Sequence, residues 1–156
     1  MIVVESKKEL MELISKRIEE QGPNCDLHDI DVSRVEDMSS LFENSEFNGD
    51  ISEWDVSSVE NMYSMFENSA FNGDISEWNT SSVRDMSYMF DGSQFNSDIS
   101  KWDVSSVEDM HFMFAHSKFT GDISKWKVSK VEDMYCMFYK SPLDDHEPEW
   151  YRPLVI

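Results

Sequence analysis

The chain has 156 residues, and 40% of them are hydrophobic, including 10 Phe, 5 Trp and 11 Met. This is enough to form one domain with an aromatic-rich core, and the aromatic content excludes an intrinsically disordered chain. The formal net charge of −19 excludes direct nucleic-acid binding, which needs cations to displace counterions, and it also disfavours anionic lipid surfaces.

The first 26 residues predict a helical cap. Ser6 and Glu9 have the spacing of a capping box, which marks the first turn of a helix. Four apolar residues then recur on one helical face: Leu10, Leu13, Ile14 and Ile18. The helix should end at Gly22 and Pro23. We expect it to cover the open end of the region that follows.

A 24-residue repeat occupies residues 27–142. Each unit opens with a phenylalanine, and these are Phe47, Phe71, Phe95 and Phe119. A tryptophan follows seven residues later, as Trp54, Trp78, Trp102 and Trp126. The units are 47–70, 71–94, 95–118 and 119–142, with a partial unit at 27–46 and a C-terminal cap at 143–156.

The constant spacing of these apolar residues predicts a repeat solenoid that forms one folded domain. One unit of 24 residues is too small to bury its own Phe, Ile, Trp, Val and Met, whereas stacked units align them into one elongated core. Burying each such side chain contributes roughly 1.5–3 kcal/mol. The tryptophans and methionines are therefore predicted to be core residues.

Two interpretations of the second half of each unit remain open. Ser57 and Glu60 have capping-box spacing, so a helical turn is expected at about residues 58–62, followed by a short parallel strand at 63–66. Alternatively, residues 59–66 form one longer helix, because their apolar members recur at helical spacing. The periodicity does not distinguish these interpretations.

Residues 47–66, Phe-Asn-Gly-Asp-Ile-Ser-Glu-Trp-Asp-Val-Ser-Ser-Val-Glu-Asn-Met-Tyr-Ser-Met-Phe, recur with small changes three more times. These units resemble the repeats of BspA-like leucine-rich-repeat surface proteins, and mycoplasma lipoproteins carry related repeats. The resemblance covers about residues 27–143. It implies a leucine-rich-repeat-like α/β right-handed coil with short parallel strands and helical turns, and a role in adhesion or protein binding.

No stretch approaches the 18 apolar residues of a membrane span, and no apolar run of secretory length follows Met1. The two cysteines, Cys25 and Cys136, suit a reducing compartment and are predicted to be unbonded, because more than four repeats separate them. The sequence as it stands therefore predicts a cytoplasmic protein without membrane insertion. A surface location follows only from the resemblance.

The sequence shows no catalytic motif, so we predict that the chain is not an enzyme and uses no cofactor or metal. The four histidines lie in different repeat positions and form no catalytic or zinc-binding pattern. One aspartate per turn, Asp50, Asp74, Asp98 and Asp122, could hold calcium in principle. Bonding of nearby turn amides is the expected role, because these residues follow Asn-Gly-type turn sequences.

The candidate binding residues are the positions that vary between repeats. The core positions barely change, while the two positions before each Met-Phe pair and the two after it change freely. The candidates are Tyr63, Tyr88, His111, Phe112, Tyr135, Tyr139, Glu67 and Asp91. If these side chains point outward, their aromatic rings form a stripe with carboxylates at one end, and exposed aromatic residues are enriched at protein interfaces.

These observations favour a non-enzymatic protein-protein interaction scaffold that binds through its variable face, with a basic partner at its acidic half. Two alternatives remain. An acidic DNA-mimic inhibitor would occupy the nucleic-acid site of another protein and would account directly for the charge. A surface adhesion module would follow from the family resemblance. The sequence leaves the oligomeric state undetermined.

Overall fold

The computed structural model describes residues 1–153. Strand β1 comprises Ile2–Val3, helix α1 comprises Lys7–Gln21, strand β2 comprises Ile30–Asp31, and a 3-10 helix comprises Pro142–Asp145. Strands β1 and β2 form a two-stranded parallel sheet. The rest of the described chain consists of turns, bends and loops.

Helix α1 confirms the predicted N-terminal helix. The Ser6 side chain accepts a hydrogen bond from the N–H of Glu9, as a helix N-cap does. The helix ends at Gly22, whose φ of 88° lies in the left-handed region that glycine adopts without strain. Leu10 and Ile14 are buried, so the apolar face of the helix contacts the core, as its spacing predicted.

The predicted α/β repeat solenoid is wrong. Between residues 32 and 141 the structure contains no helix and no strand. Strand-like contacts in this region are limited to isolated parallel bridges that join Asp37, Asn61, Asp85, Asp109 and Asp133 in sequence order. The leucine-rich-repeat-like right-handed coil of short strands and helical turns is therefore not formed, and the fold is mostly loop.

The predicted helical turn at residues 58–62 is absent because a side-chain turn replaces it. Asp55 Oδ1 accepts hydrogen bonds from the N–H and the hydroxyl of Ser57, at 3.0 and 2.5 Å. The N–H of Val59 bonds back to the carbonyl of Val56 at 2.9 Å and closes a tight turn. Such local bonds compete with helix formation. Equivalent turns are built on Asn79 and Asp103.

The short strand predicted at residues 63–66 and the longer helix predicted at residues 59–66 are both wrong, for a different reason. Ser64 and Asn68 have φ values of 54° and 52°, in the left-handed region. A left-handed residue interrupts helices and strands alike, since both need negative φ throughout. The N–H of Met65 bonds to the carbonyl of Met62 at 3.2 Å, so the segment is a run of tight turns.

Neighbouring repeats are joined by backbone hydrogen bonds. Ser64 and Phe66 donate their N–H groups to the carbonyls of Ser87 and Met89, at 3.0 and 2.9 Å. Equivalent bonds recur from the partial unit to the last unit. These bonds satisfy backbone groups that would otherwise be buried without partners.

Side chains at equivalent positions of neighbouring repeats contact one another in the core. The ring of Phe66 stacks between those of Phe42 and Phe90, with centroids 5.5 and 5.6 Å away. Trp102 is buried, and its Nε1–H donates to the carbonyl of Ile75 at 2.9 Å. Similar indole bonds are made by Trp54, Trp78, Trp126 and Trp150. One hydrophobic cluster thus extends from helix α1 through the repeats.

The C-terminal segment packs against the last repeat. Trp150 stacks on Trp126 with centroids 6.2 Å apart, and Tyr151 packs edge-on against Phe138 at 5.0 Å. Burial raises the pKa of the Tyr151 hydroxyl to about 12. The predicted C-terminal cap extends to residue 156, and its last three residues lie outside the described residues.

Candidate binding surface

Five of the predicted side chains lie together in one patch, called here the aromatic face: Tyr63, Tyr88, His111, Phe112 and Tyr135. The rings of Tyr88 and Phe112 stack with centroids 5.1 Å apart and planes at 1°. Tyr63 packs edge-on against Tyr88 at 5.7 Å, and Tyr135 packs edge-on against Phe112 at 5.8 Å. The face therefore extends across three junctions between repeats.

The aromatic face is open to solvent. Tyr63 is 40% exposed and Tyr135 is 52% exposed, while Tyr88, His111 and Phe112 are partly buried. These rings lie outside the core, where phenylalanines at equivalent positions of successive repeats stack on one another and are almost completely buried. A row of exposed aromatic rings in mutual contact is the kind of surface that is enriched at protein interfaces.

Two residues of the aromatic face have a backbone conformation that is unfavourable for their side chains. Tyr88 has a φ of 57° and Phe112 a φ of 55°. The left-handed region costs an L-residue roughly 1–2 kcal/mol, and bulky residues are rare there. Two of the equivalent positions in the other repeats carry serine, Ser40 and Ser64, and the third carries Cys136.

One row of carboxylates lies next to the aromatic face, close to Tyr88. Burial raises the pKa of the Glu67 carboxyl above its ordinary value, and the neighbouring carboxylates of Glu43 and Asp91 raise it further. Asp91 also contacts His116: the distance between Asp91 Oδ1 and His116 Nδ1 is 3.0 Å. The predicted residues Glu67 and Asp91 thus belong to one acidic flank.

A second row of carboxylates lies beside His111 of the aromatic face. Asp109 Oδ1 is 2.5 Å from His111 Nδ1, and Asp133 Oδ2 is 3.8 Å from the same nitrogen. Burial raises the pKa of the Tyr88 hydroxyl, and the charges of Asp91, Glu67 and Asp109 contribute. The Tyr88 hydroxyl therefore experiences the negative field of both rows.

Tyr139 packs separately from the aromatic face. Its ring meets that of His116 edge-on at 5.4 Å, and the Lys140 ammonium lies 5.3 Å from its centroid. Since His116 contacts Asp91, Tyr139 is connected to the acidic flank through a histidine. Of the predicted binding residues, Tyr139 is therefore associated with Asp91 and the acidic flank, not with the aromatic face.

The model of one protein family matches residues 10–116 and again residues 91–150, which together cover most of the chain. The chain belongs to the DUF285 family. The description of that family is "Mycoplasma protein of unknown function". No curated protein and no solved structure matched the chain. The resemblance to BspA-like leucine-rich-repeat proteins stays a prediction, because the DUF285 description does not name that family.

The turn aspartates of this DUF285 chain bond turn groups, as the sequence predicted. Asp74 Oδ1 accepts both the N–H and the hydroxyl of Ser76, at 2.9 and 2.7 Å. These bonds from Ser76 hold the pKa of the Asp74 carboxyl below its ordinary value. Both cysteines are free, with Cys25 buried. None of the described helices is long and apolar enough to cross a membrane.

The sequence interpretation missed the aspartates beside His111. Asp109 and Asp133 occupy equivalent positions of neighbouring repeats, two residues before each variable pair, and no role was predicted from the sequence for this position. The signal that distinguishes them is the histidine between the two. Only the distances show that Asp109 and the aspartate of the next repeat both face that ring.

The raised pKa of Glu67 predicts a pH-dependent effect on stability. A carboxyl whose pKa is raised on folding contributes stability below its unfolded-state pKa, and this contribution is lost as pH rises through the folded-state pKa. At neutral pH the charged form of Glu67 is therefore unfavourable. We expect Glu67→Gln to raise the thermal midpoint at pH 7 and to leave it nearly unchanged at about pH 3.5.

Thermal unfolding followed by circular dichroism at the two pH values measures this effect. Glu77→Gln, at an exposed turn position, is the matched control, because it removes the same charge outside the acidic flank. An increase of equal size for both variants at pH 7 would assign the effect to net charge and would contradict the prediction.

Proposed function

We propose that the chain is a non-enzymatic protein-binding module that holds a basic partner on its aromatic face. The observation that carries this proposal is the continuous row of rings from Tyr63 to Tyr135, with two rows of carboxylates close to it. A net charge of −19 adds a long-range attraction for cationic partners.

The chemistry of the face suits lysine and arginine side chains. A cation over an aromatic ring gains roughly 0.5–1 kcal/mol at an exposed site, and more when water is removed. The carboxylates of Asp91, Glu67 and Asp109 all lie close enough to Tyr88 to act on its hydroxyl. A guanidinium that stacks on the ring can therefore also bond a carboxylate, which gives orientation as well as attraction.

The left-handed backbone at Tyr88 and Phe112 supports a role in binding rather than in folding. Asparagine and glycine tolerate this conformation better than aromatic residues do. The second left-handed position of each repeat, four residues later, carries Asn44, Asn68 and Gly92 in three repeats, and His116 and Lys140 in the other two. Large rings at Tyr88 and Phe112 therefore bring no gain in backbone energy, whereas they supply the central stacked pair of the face.

The test is selection from a randomised peptide display library on the immobilised chain, followed by affinity measurements with the selected peptides. We expect the peptides to be rich in Arg and Lys. We expect their affinity for the double variant Tyr88→Asn with Phe112→Asn to fall by tenfold or more, equivalent to about 1.4 kcal/mol. Because asparagine tolerates the left-handed region, the variant should unfold at nearly the wild-type midpoint.

A second variant, Glu67→Gln with Asp91→Asn, should weaken binding and reduce its dependence on salt, because charge contacts are screened. Peptides that bind the wild type and the ring variant equally would refute the aromatic face as the binding site. Binding that disappears in salt and ignores the ring substitutions would instead indicate an acidic DNA mimic.

A further inference from the structure

We infer that Asp109, His111 and Asp133 form a site for a divalent transition-metal ion, of which Zn²⁺ is the representative probe. Their ligand atoms all lie within 4.8 Å of one another. The site combines one imidazole nitrogen with two carboxylate oxygens from neighbouring repeats. This donor set suits zinc and its neighbours in the first transition row.

The two distances from His111 Nδ1 are within reach of a single ion. Zinc holds nitrogen and oxygen ligands at about 2.0–2.2 Å, so two ligand atoms of one ion are separated by no more than about 4.4 Å. His111 Nδ1 lies 2.5 Å from Asp109 Oδ1 and 3.8 Å from Asp133 Oδ2. Small side-chain rotations would place all three donors around one ion, with a fourth position open to water or to a partner's side chain.

The backbone already orients both carboxylates. Asp109 Oδ1 accepts the N–H of His111 at 3.0 Å, and Asp133 Oδ1 accepts the N–H of Tyr135 at 2.9 Å. Asp109 and Asp133 are also joined by a parallel bridge. The two carboxylates are therefore held side by side by the fold, and a bound cation would offset their mutual repulsion.

The imidazole is positioned by its neighbours in the aromatic face. The His111 ring lies edge-on to the ring of Tyr88 with centroids 4.9 Å apart, and at 6.0 Å from that of Phe112. The His111 side chain is 25% exposed, so an ion can reach it from solvent. A ring fixed in this way loses less conformational entropy on binding a metal than a free surface histidine.

The other histidine–aspartate pairs show why this location is distinctive. His28 lies 2.6 Å from Asp26, and His116 lies 3.0 Å from Asp91. Across residues 1–153, the only group of three metal-ligating side chains that converges in this way is the one at His111. A histidine with one carboxylate is a common ion pair, whereas a second carboxylate from the next repeat completes a three-donor set.

The test is isothermal titration of Zn²⁺ into the full chain after removal of metal by dialysis against chelator. We expect one equivalent to bind the wild type, and His111→Asn and Asp133→Asn each to weaken binding by tenfold or more. His116→Asn, the matched control, should bind as the wild type does. The ring resonances of His111 in the NMR spectrum should shift on addition of Zn²⁺, while those of His116 stay in place.

The aspartate substitution should preserve the fold. Asn61 occupies the equivalent position, and its Oδ1 accepts the N–H of Tyr63 at 2.9 Å, so asparagine maintains the turn. Equal thermal midpoints of the metal-free proteins check this directly. Unchanged Zn²⁺ binding in the His111 and Asp133 variants would overturn the site, and so would an absence of binding to the wild type. Neither result depends on whether the aromatic face binds a peptide.

Discussion

Phe90→Ala should lower the free energy of unfolding by about 3–5 kcal/mol, the range found for large aromatic side chains removed from a packed core. Phe90 is fully buried. Its ring lies between those of Phe66 and Phe114, at 5.6 and 5.5 Å, and 4.5 Å from that of Phe95. Truncation removes contacts with two neighbouring repeats and leaves a cavity that the inter-repeat hydrogen bonds prevent from collapsing.

Denaturant unfolding followed by tryptophan fluorescence measures this loss as a shift of the transition midpoint. Phe112→Ala is the matched control, because it makes the same chemical change on the partly exposed aromatic face. That variant should lose less than about 1 kcal/mol, since the Phe112 ring is only partly buried and its main loss is the stacking on Tyr88. Equal losses at Phe90 and Phe112 would contradict the distinction between core and face.

Gly49→Ala should destabilise the chain by about 3 kcal/mol, at the upper end of the effects of overpacking. A Cβ atom at Gly49 would lie 1.8 Å from the carbonyl oxygen of Cys25. This oxygen belongs to the backbone, so no rotamer change relieves the clash. The adjacent hydrogen bond from the N–H of Asn48 to the carbonyl of Pro23, at 2.8 Å, would also be strained.

Gly73→Ala is the control for this prediction. There the nearest atoms to an added Cβ belong to the ring of Phe71, at 2.6 Å, and a side chain has more freedom to move than a backbone carbonyl. Ser97 occupies the same position one repeat later, which shows that a Cβ is tolerated within the repeat. Thermal midpoints should fall in the order wild type, Gly73→Ala, Gly49→Ala, and a reversed order would refute the role of the Cys25 carbonyl.

The helix and the core could be predicted from the sequence because their signals are local or strictly periodic. Ser6 and Gly22 mark the ends of α1 through their own side chain and backbone. The spacing of the phenylalanines and tryptophans identified side chains that are buried in the structure, such as Phe71 and Trp78. Both inferences need only the type of each residue and its distance along the chain from the others.

The conformation of the repeats could not be predicted in the same way. Ser57 and Glu60 have capping-box spacing, yet the Ser57 hydroxyl bonds to Asp55. Ser64 and Asn68 adopt left-handed φ values, but neither is a glycine, so the sequence carries no signal of this conformation. Capping-box spacing and apolar periodicity indicate only helices and strands, whose hydrogen bonds lie within one segment or in a regular ladder.

The amino-acid pattern alone specifies which residues are buried, where the N-terminal helix begins and ends, and which positions vary. That the repeats are built of tight turns depends on contacts between repeats, because alternate N–H groups of each repeat bond to the neighbouring repeat and not to their own. The convergence of Asp109, His111 and Asp133 depends on the same contacts. Residues from two repeats become neighbours through those bonds between repeats, and no pattern within one repeat specifies them.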